Sequence, residues 1–225
     1  MKRLFLLAIL LVSMTASAQR VVTKFLGIPI DGSKKEMIRK LKNKGFHSVP
    51  SHDFMRGEFN GEEVLLDIKT YKNKVCRINV VDDNDLSESA VKIRFNNLCR
   101  QFLSSKRYTK ASDEDFIIPE DEDISHEIRV NAKDYFAVFY QEVAPADTVA
   151  FNKEIEKYAF ENEPADLLDE STDLGQQFKR VYIDLYKLKA RLNRSVMFII
   201  FGDNGKYRIG ISYVNKWNEA QGEDL

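Results

Sequence analysis

After Ser33, apolar residues recur three and four apart. Met37, Ile38 and Leu41 share one helical face, and Ser33 with Glu36 has the spacing of a capping box. Gly45 stands where such a helix would close in the left-handed conformation. The period then drops to two. Val64, Leu66 and Ile68 alternate with polar residues, and Asn60-Gly61 is a tight-turn dipeptide, so strands are expected at 55–59 and 63–70. Lys72-Asn73 turns the chain into a third strand, 74–81. A helix starting at Asp85 or Ser87 is expected to run to about 105, with Val91, Phe95, Leu98 and Phe102 on one face.

An acidic stretch, 113–123, breaks this pattern. Beyond it the alternation predicts strands at 125–130 and 135–143, then a short helix at 149–160. A long helix at 173–193 carries Phe178, Val181, Ile183, Leu185, Leu188 and Leu192. The last hairpin joins 196–201 to 207–214 across Asp203-Asn204-Gly205. Its first strand is apolar on both faces, as in a covered central strand. The fold class is therefore α+β: antiparallel meanders and hairpins with amphipathic helices packed on one side. Each half offers hairpins and a helix, so a two-part pseudo-repeat is an open alternative. One domain is expected over 19–225, with a candidate sub-division near 106–124.

The first 18 residues follow a different logic. Met1-Lys2-Arg3 is basic, 4–12 is apolar, and Ala16-Ser17-Ala18 is the small-residue pattern of a signal-peptide cleavage site before Gln19. The apolar run is far short of the roughly 20 residues that span a bilayer. A periplasmic or secreted protein is expected, without a transmembrane segment. The whole chain has 225 residues, 34 basic and 35 acidic. Losing Lys2 and Arg3 leaves 32 basic residues against 35 acidic ones, a formal charge of −3. Such a chain has no general attraction for nucleic acid.

Candidate chemistry is sparse. Cys76 and Cys99 are expected at one strand–helix interface, and export would permit a disulfide there; two buried thiols are the alternative. His47, His52 and Asp53 lack a recognised ligand spacing. The runs Asp82–Asp85 and Glu120–Asp123 lack the alternation and glycine of a calcium loop, so no metal and no cofactor is expected. Nucleophile motifs are absent, so no catalytic residue is assigned. Two surfaces remain as binding candidates. One is the basic first helix, with Lys35 and Arg39. The other is the aromatic C-terminus, with Tyr207, Tyr213 and Trp217, where Tyr207, Ile209, Ile211 and Tyr213 share a face that is either sheet core or an exposed platform.

Several segments carry a resemblance: the lead Phe25-Leu26-Gly27-Ile28-Pro29-Ile30-Asp31-Gly32, the stretch Lys206-Tyr207-Arg208-Ile209, and the tail Asn218 to Leu225. With the Ala-Ser-Ala-Gln junction, the chain resembles uncharacterised exported proteins of Bacteroidetes bacteria. In the order of helix and meander it is also similar to beta-lactamase-inhibitor-like and outer-membrane-assembly-lipoprotein-like modules, though it lacks the lipidated Cys of the latter. The likeness implies a binding module and transfers no functional residue. The expectation is an exported, non-catalytic binding protein whose partner is another envelope protein or a glycan. The alternative is an envelope hydrolase acting on glycans through Asp or Glu carboxylates.

Overall fold

A computed structural model describes residues 20–162 and 171–220. The expected signal peptide and its cleavage point lie outside the described residues. A short ladder of β1 (Lys24–Phe25) and β2 (Ile28–Pro29) precedes helix α1 (Lys34–Lys42). The Ser33 hydroxyl accepts the Glu36 N–H at 3.3 Å, satisfying one of the orphan donors of the first turn. Met37 and Leu41 are buried as their spacing requires. Four strands follow: β3 (His47–Ser48), β4 (Phe54–Phe59), β5 (Glu62–Tyr71) and β6 (Lys74–Asp82). The turns Asn60-Gly61 and Lys72-Asn73 have positive φ at both residues, the twist that joins adjacent antiparallel strands without splaying them.

Helix α2 (Glu88–Ser104) starts at Ser87, whose hydroxyl accepts the Ala90 N–H at 3.3 Å. Its buried stripe is Val91, Phe95, Leu98, Cys99 and Phe102. Then come β7 (Tyr108–Lys110), α3 (Ile124–Asn131), β8 (Phe136–Gln141), α4 (Thr148–Asn162), α5 (Asp173–Leu192), β9 (Ser195–Asp203) and β10 (Lys206–Val214). Helix α3 corrects the strand expected at 125–130. His126, Ile128 and Val130 alternate, but Ile124 and Ile128, one helical turn apart, face the core while Val130 is exposed. Asp123 caps the helix by accepting the His126 N–H at 2.8 Å, and Ala132 ends it at φ 51°.

Eight strands form one antiparallel sheet in the order β3-β4-β5-β6-β10-β9-β8-β7. The order reads as a palindrome. Each half is a serine-capped helix followed by four strands, and the last strand of one half pairs with the last strand of the other, Ile78 opposite Tyr213 and Val80 opposite Ile211. The helices match in register too: Met37 and Leu41 lie four and eight residues past Ser33, and Val91 and Phe95 lie four and eight past Ser87. The second half differs by insertion. Helix α3 stands between β7 and β8, where the first half has a short loop, and α4 and α5 stand between β8 and β9, where the first half has only Asn60-Gly61.

The chain divides into two compact units, Val22–Glu142 with Arg191–Leu225 and Met1–Val21 with Val143–Ala190. Residues 106–124, where the sequence offered a sub-division, run inside the larger unit. In the smaller one, Tyr158 of α4 lies 5.8 Å from the Tyr182 ring and 4.6 Å from the Tyr186 ring of α5. The buried Glu154 carboxylate accepts the Tyr186 hydroxyl at 2.6 Å and the Val21 N–H at 2.8 Å.

In the larger unit the core lies between one sheet face and α1, α2 and α3. Phe102, Phe139 and Phe198 meet there with centroids 4.6–5.5 Å apart. One charged pair is buried beside it: Arg94 of α2 donates to both oxygens of Asp82, at 2.8 and 2.6 Å. Strand β9 is less covered than its composition implies. Val196, Phe198 and Ile200 are buried, but Met197 and Ile199 are half-buried and Phe201 is 41% exposed.

The cysteines do not meet. Lys69 pairs with Arg77 but Thr70 pairs with Val75, so Cys76 is an extra residue in β6. The bulge breaks the alternation that linked Cys76 to Ile78. Val75 joins Ile78 and Val80 in the core instead, and the Cys76 thiol donates to the Lys69 carbonyl at 3.5 Å. Cys99 is buried in the core on α2, where burial pushes its thiol up to about 12. The two thiols are unbonded. A reductant should therefore leave the unfolding midpoint unchanged, whereas breaking a disulfide across this loop would remove about 3 kcal/mol. A midpoint that falls in dithiothreitol contradicts the bulge argument.

Candidate binding face

All the helices of the larger unit that contribute to its core pack on one face of the sheet, as do β1 and β2. The other face carries two rows of side chains fixed by strand register. The first runs Arg56, Leu65, Val81, Gly210, Ile199, Phe136 across six strands. The second runs Phe54, Asp67, Asn79, Ser212, Met197, Val138. The first row is apolar from Leu65 to Phe136. A Cβ on Gly210 would come within 3.3 Å of both Ile199 and the Phe201 ring, so the glycine gives that ring its seat on the sheet. Phe136 and Phe201 remain 47% and 41% exposed.

The second row is polar at its centre. Ser212 donates to Asn79 at 2.7 Å, Asn79 to Asp67 at 3.2 Å, and Lys69 reaches Asp67 at 3.0 Å. Ion pairs rim the face: Arg56 with Asp83 at 2.9 Å, Arg208 with Asp85 at 2.7 Å, and Arg77 with Glu219 at 2.5 Å. The acidic run at the end of β6 thus serves as three separate clamps, since Asp82, Asp83 and Asp85 each meet an arginine from a different element. The arrangement joins half-exposed aromatic and aliphatic groups to hydrogen-bonding groups and charges, the composition of a contact surface.

The residues singled out from sequence fall elsewhere. Tyr207, Ile209, Ile211 and Tyr213 do share one face of β10, but it is the core face. The Tyr207 hydroxyl lies 2.7 Å from Ser125 Oγ, and Tyr213 packs edge-on against Phe25 at 5.0 Å. Both are buried, which corrects the platform reading. Burial also raises the Tyr213 phenol well above its ordinary range. Trp217 is half-buried on a 3-10 turn at Lys216–Asn218. Lys35 and Arg39 are exposed, four residues apart on α1. The structure does not gather these five into one site. Phe136, Ile199 and Phe201 were missed, although the two-sided apolar pattern of 136–140 and 196–201 was their signal.

Two clefts flank the exposed Ile93 of α2. One, of about 340 Å³, lies toward Asn60 and Glu62; the other, of about 410 Å³, lies toward Ile117 and Pro119. The polar groups of the second are committed to holding its wall. Asn96 exchanges hydrogen bonds with the Ile118 backbone at 2.8 and 2.9 Å, and Lys92 donates to the Glu120 and Glu122 carbonyls, both at 2.8 Å.

Among the described residues, two carboxyls are perturbed, both downward. Asp53 is held low by its 2.6 Å bond to Lys34, and Glu122 by hydrogen bonds from Lys133 and Tyr135. Burial, then Glu122 itself, drives the Tyr135 phenol upward. Glu122 has a native value below its unfolded one. Its contribution to stability is full above about 4.3, the unfolded value, and is lost as pH falls through the native value. Glu122→Gln should flatten the acid limb of the stability–pH curve; an unchanged limb would assign that limb to other groups.

His52 Nδ1 lies 2.9 Å from the Pro50 carbonyl, and no group of three or more His, Cys, Asp or Glu placed to hold a metal ion occurs among the described residues. Among them, too, no helix is long and apolar enough to cross a membrane. No protein-family model, curated protein or solved structure matches the chain.

Proposed function

We propose that this is an exported bacterial envelope protein that binds another envelope protein through the open face of its sheet, without catalysing a reaction. One observation carries the reading: the half-exposed apolar row from Leu65 to Phe136, capped by Phe201 and rimmed by ion pairs. The signal-like first 18 residues support export. The resemblance to exported Bacteroidetes proteins agrees with that setting, and the likeness to inhibitor-like modules agrees with binding. A glycan hydrolase has less support. Its general acid would need a carboxyl pushed upward, and the two carboxyls that shift among the described residues, Asp53 and Glu122, are both held low by donors.

The test is capture of partners by crosslinking in the envelope of the producing cell. One enriched protein should appear with the native chain and disappear with Phe136→Asp or Phe201→Asp. Lys35→Glu with Arg39→Glu should leave it in place. Enrichment that survives both phenylalanine variants refutes the sheet face. Turnover of a glycan, lost on changing one Asp or Glu to its amide, establishes the hydrolase instead.

A further inference from the structure

One end of the open sheet face carries charge that nothing beside it balances. Glu58 of β4 and Glu63 of β5 stand directly opposite each other, next to the Asn60-Gly61 turn. They lie on the open side, since Arg56 and Leu65, a pair of that face, are two residues away along each strand. Both are exposed. Like charges directly opposite in an antiparallel pair repel and weaken it. Four other carboxylates on this face or its rim each meet a cation: Asp67 with Lys69, Asp83 with Arg56, Asp85 with Arg208 and Glu219 with Arg77. Arg56, the arginine closest along β4, is thus engaged by Asp83. Among the described residues, Glu58 and Glu63 have no ion pair and no side-chain hydrogen bond.

Strand register fixes what lies across from this pair. Two residues from Ile199, Phe201 occupies the same row as Glu63, with β6 and β10 between their strands. Three strand spacings separate them, about 14 Å. The row therefore ends in an aromatic ring that is 41% exposed on one side and two uncompensated carboxylates on the other. A partner that seats an apolar group on Phe201 and Ile199 brings its own surface over Glu58 and Glu63. An acidic group there adds a third like charge, and an apolar one strips water from two carboxylates without replacing it. A lysine or arginine does neither. Calcium is a poorer fit, because it takes about six to eight oxygens and two carboxylates supply no more than four.

We propose that the protein seated on the open face presents a lysine or arginine to Glu58 and Glu63, about 14 Å from the apolar group it places on Phe201. This rests on the open face being the binding face, and adds to that reading the partner's charge and its orientation.

The test uses the envelope protein that the immobilised chain retains at low salt, identified by mass. Glu58→Lys with Glu63→Lys should lower its retention about tenfold or more. About 0.5 M NaCl, where the Debye length is about 4 Å, should weaken retention by the native chain but not by Glu58→Gln with Glu63→Gln. Misfolding is checked separately: Glu63→Lys alone sets opposite charges across the strand pair and should raise the unfolding midpoint of the free chain. A midpoint that falls instead overturns the proposal. Retention abolished by Phe136→Asp or Phe201→Asp yet unchanged by the double lysine variant also overturns it, and leaves the sheet-face reading standing. Retention indifferent to all of these variants, or no protein retained, overturns both. Retention that requires calcium and is lost in chelator gives the pair to a metal and overturns the proposal too.

Discussion

Replacing Arg94 with methionine is expected to destabilise the protein by about 3–5 kcal/mol, the range for breaking a buried pair from one side. The aliphatic stem is kept, so the loss is electrostatic. Asp82 is buried and receives two charged hydrogen bonds from Arg94 and a third, at 3.3 Å, from the Ile209 N–H. Without the guanidinium, a carboxylate stays in the interior with one neutral donor. The pair also joins three elements, since Arg94 is on α2, Asp82 ends β6 and Ile209 is on β10. Denaturant unfolding measures the effect as a lower midpoint. Arg94→Met with Asp82→Asn should recover part of the loss, because the stranded charge is gone. A double variant as unstable as Arg94→Met would mean that the arginine acts through packing.

Phe198→Ala should cost a similar amount, about 3–5 kcal/mol for a buried aromatic truncated in a core that cannot collapse around it. Phe198 is fully buried, edge-on to Phe102 at 4.6 Å and 5.5 Å from Phe139, and Phe102 is itself stacked on Tyr108 at 4.0 Å. Those rings come from α2, β7 and β8, so none can fill the void without moving its own element. Phe201, three residues along the same strand, is the control. Phe201→Ala removes the same ring from the exposed face and should shift the midpoint far less. Equal losses at the two positions would contradict the assignment of faces on β9.

Much of this was legible in the chain. Ser33 and Ser87 marked helix starts because a hydroxyl there satisfies a backbone donor, a local effect needing no tertiary contact. Asn60-Gly61 marked its turn because both residues accept positive φ, which is also a local effect. The errors came where tertiary structure decided. Ser125–Val130 alternates like a strand, yet Asp123 caps it and the core accepts Ile124 with Ile128. Tyr207 and Tyr213 were correctly given one face, but alternation does not say which face the helices cover. The bulge at Cys76 arises from pairing with β5, and nothing in Lys74–Val80 taken alone announces it. The candidate site was hidden for a related reason. A strand apolar on both sides reads as central and covered, whereas β8 and β9 keep one side half-open to make a surface.

The palindromic strand order also sets a schedule for synthesis. Strands β3 to β6 complete their own pairings early, since each neighbour follows within a short turn or loop. The far edge of β6 then has no partner until β10 is made, because Ile78 pairs with Tyr213 and Val80 with Ile211. At about 5–20 residues per second, that wait is on the order of ten seconds. For that time the newborn half carries a long, uncapped strand edge rich in Val and Ile, the kind of edge that recruits other chains. A nascent chain of this design therefore depends on being held apart from its siblings until its second half arrives.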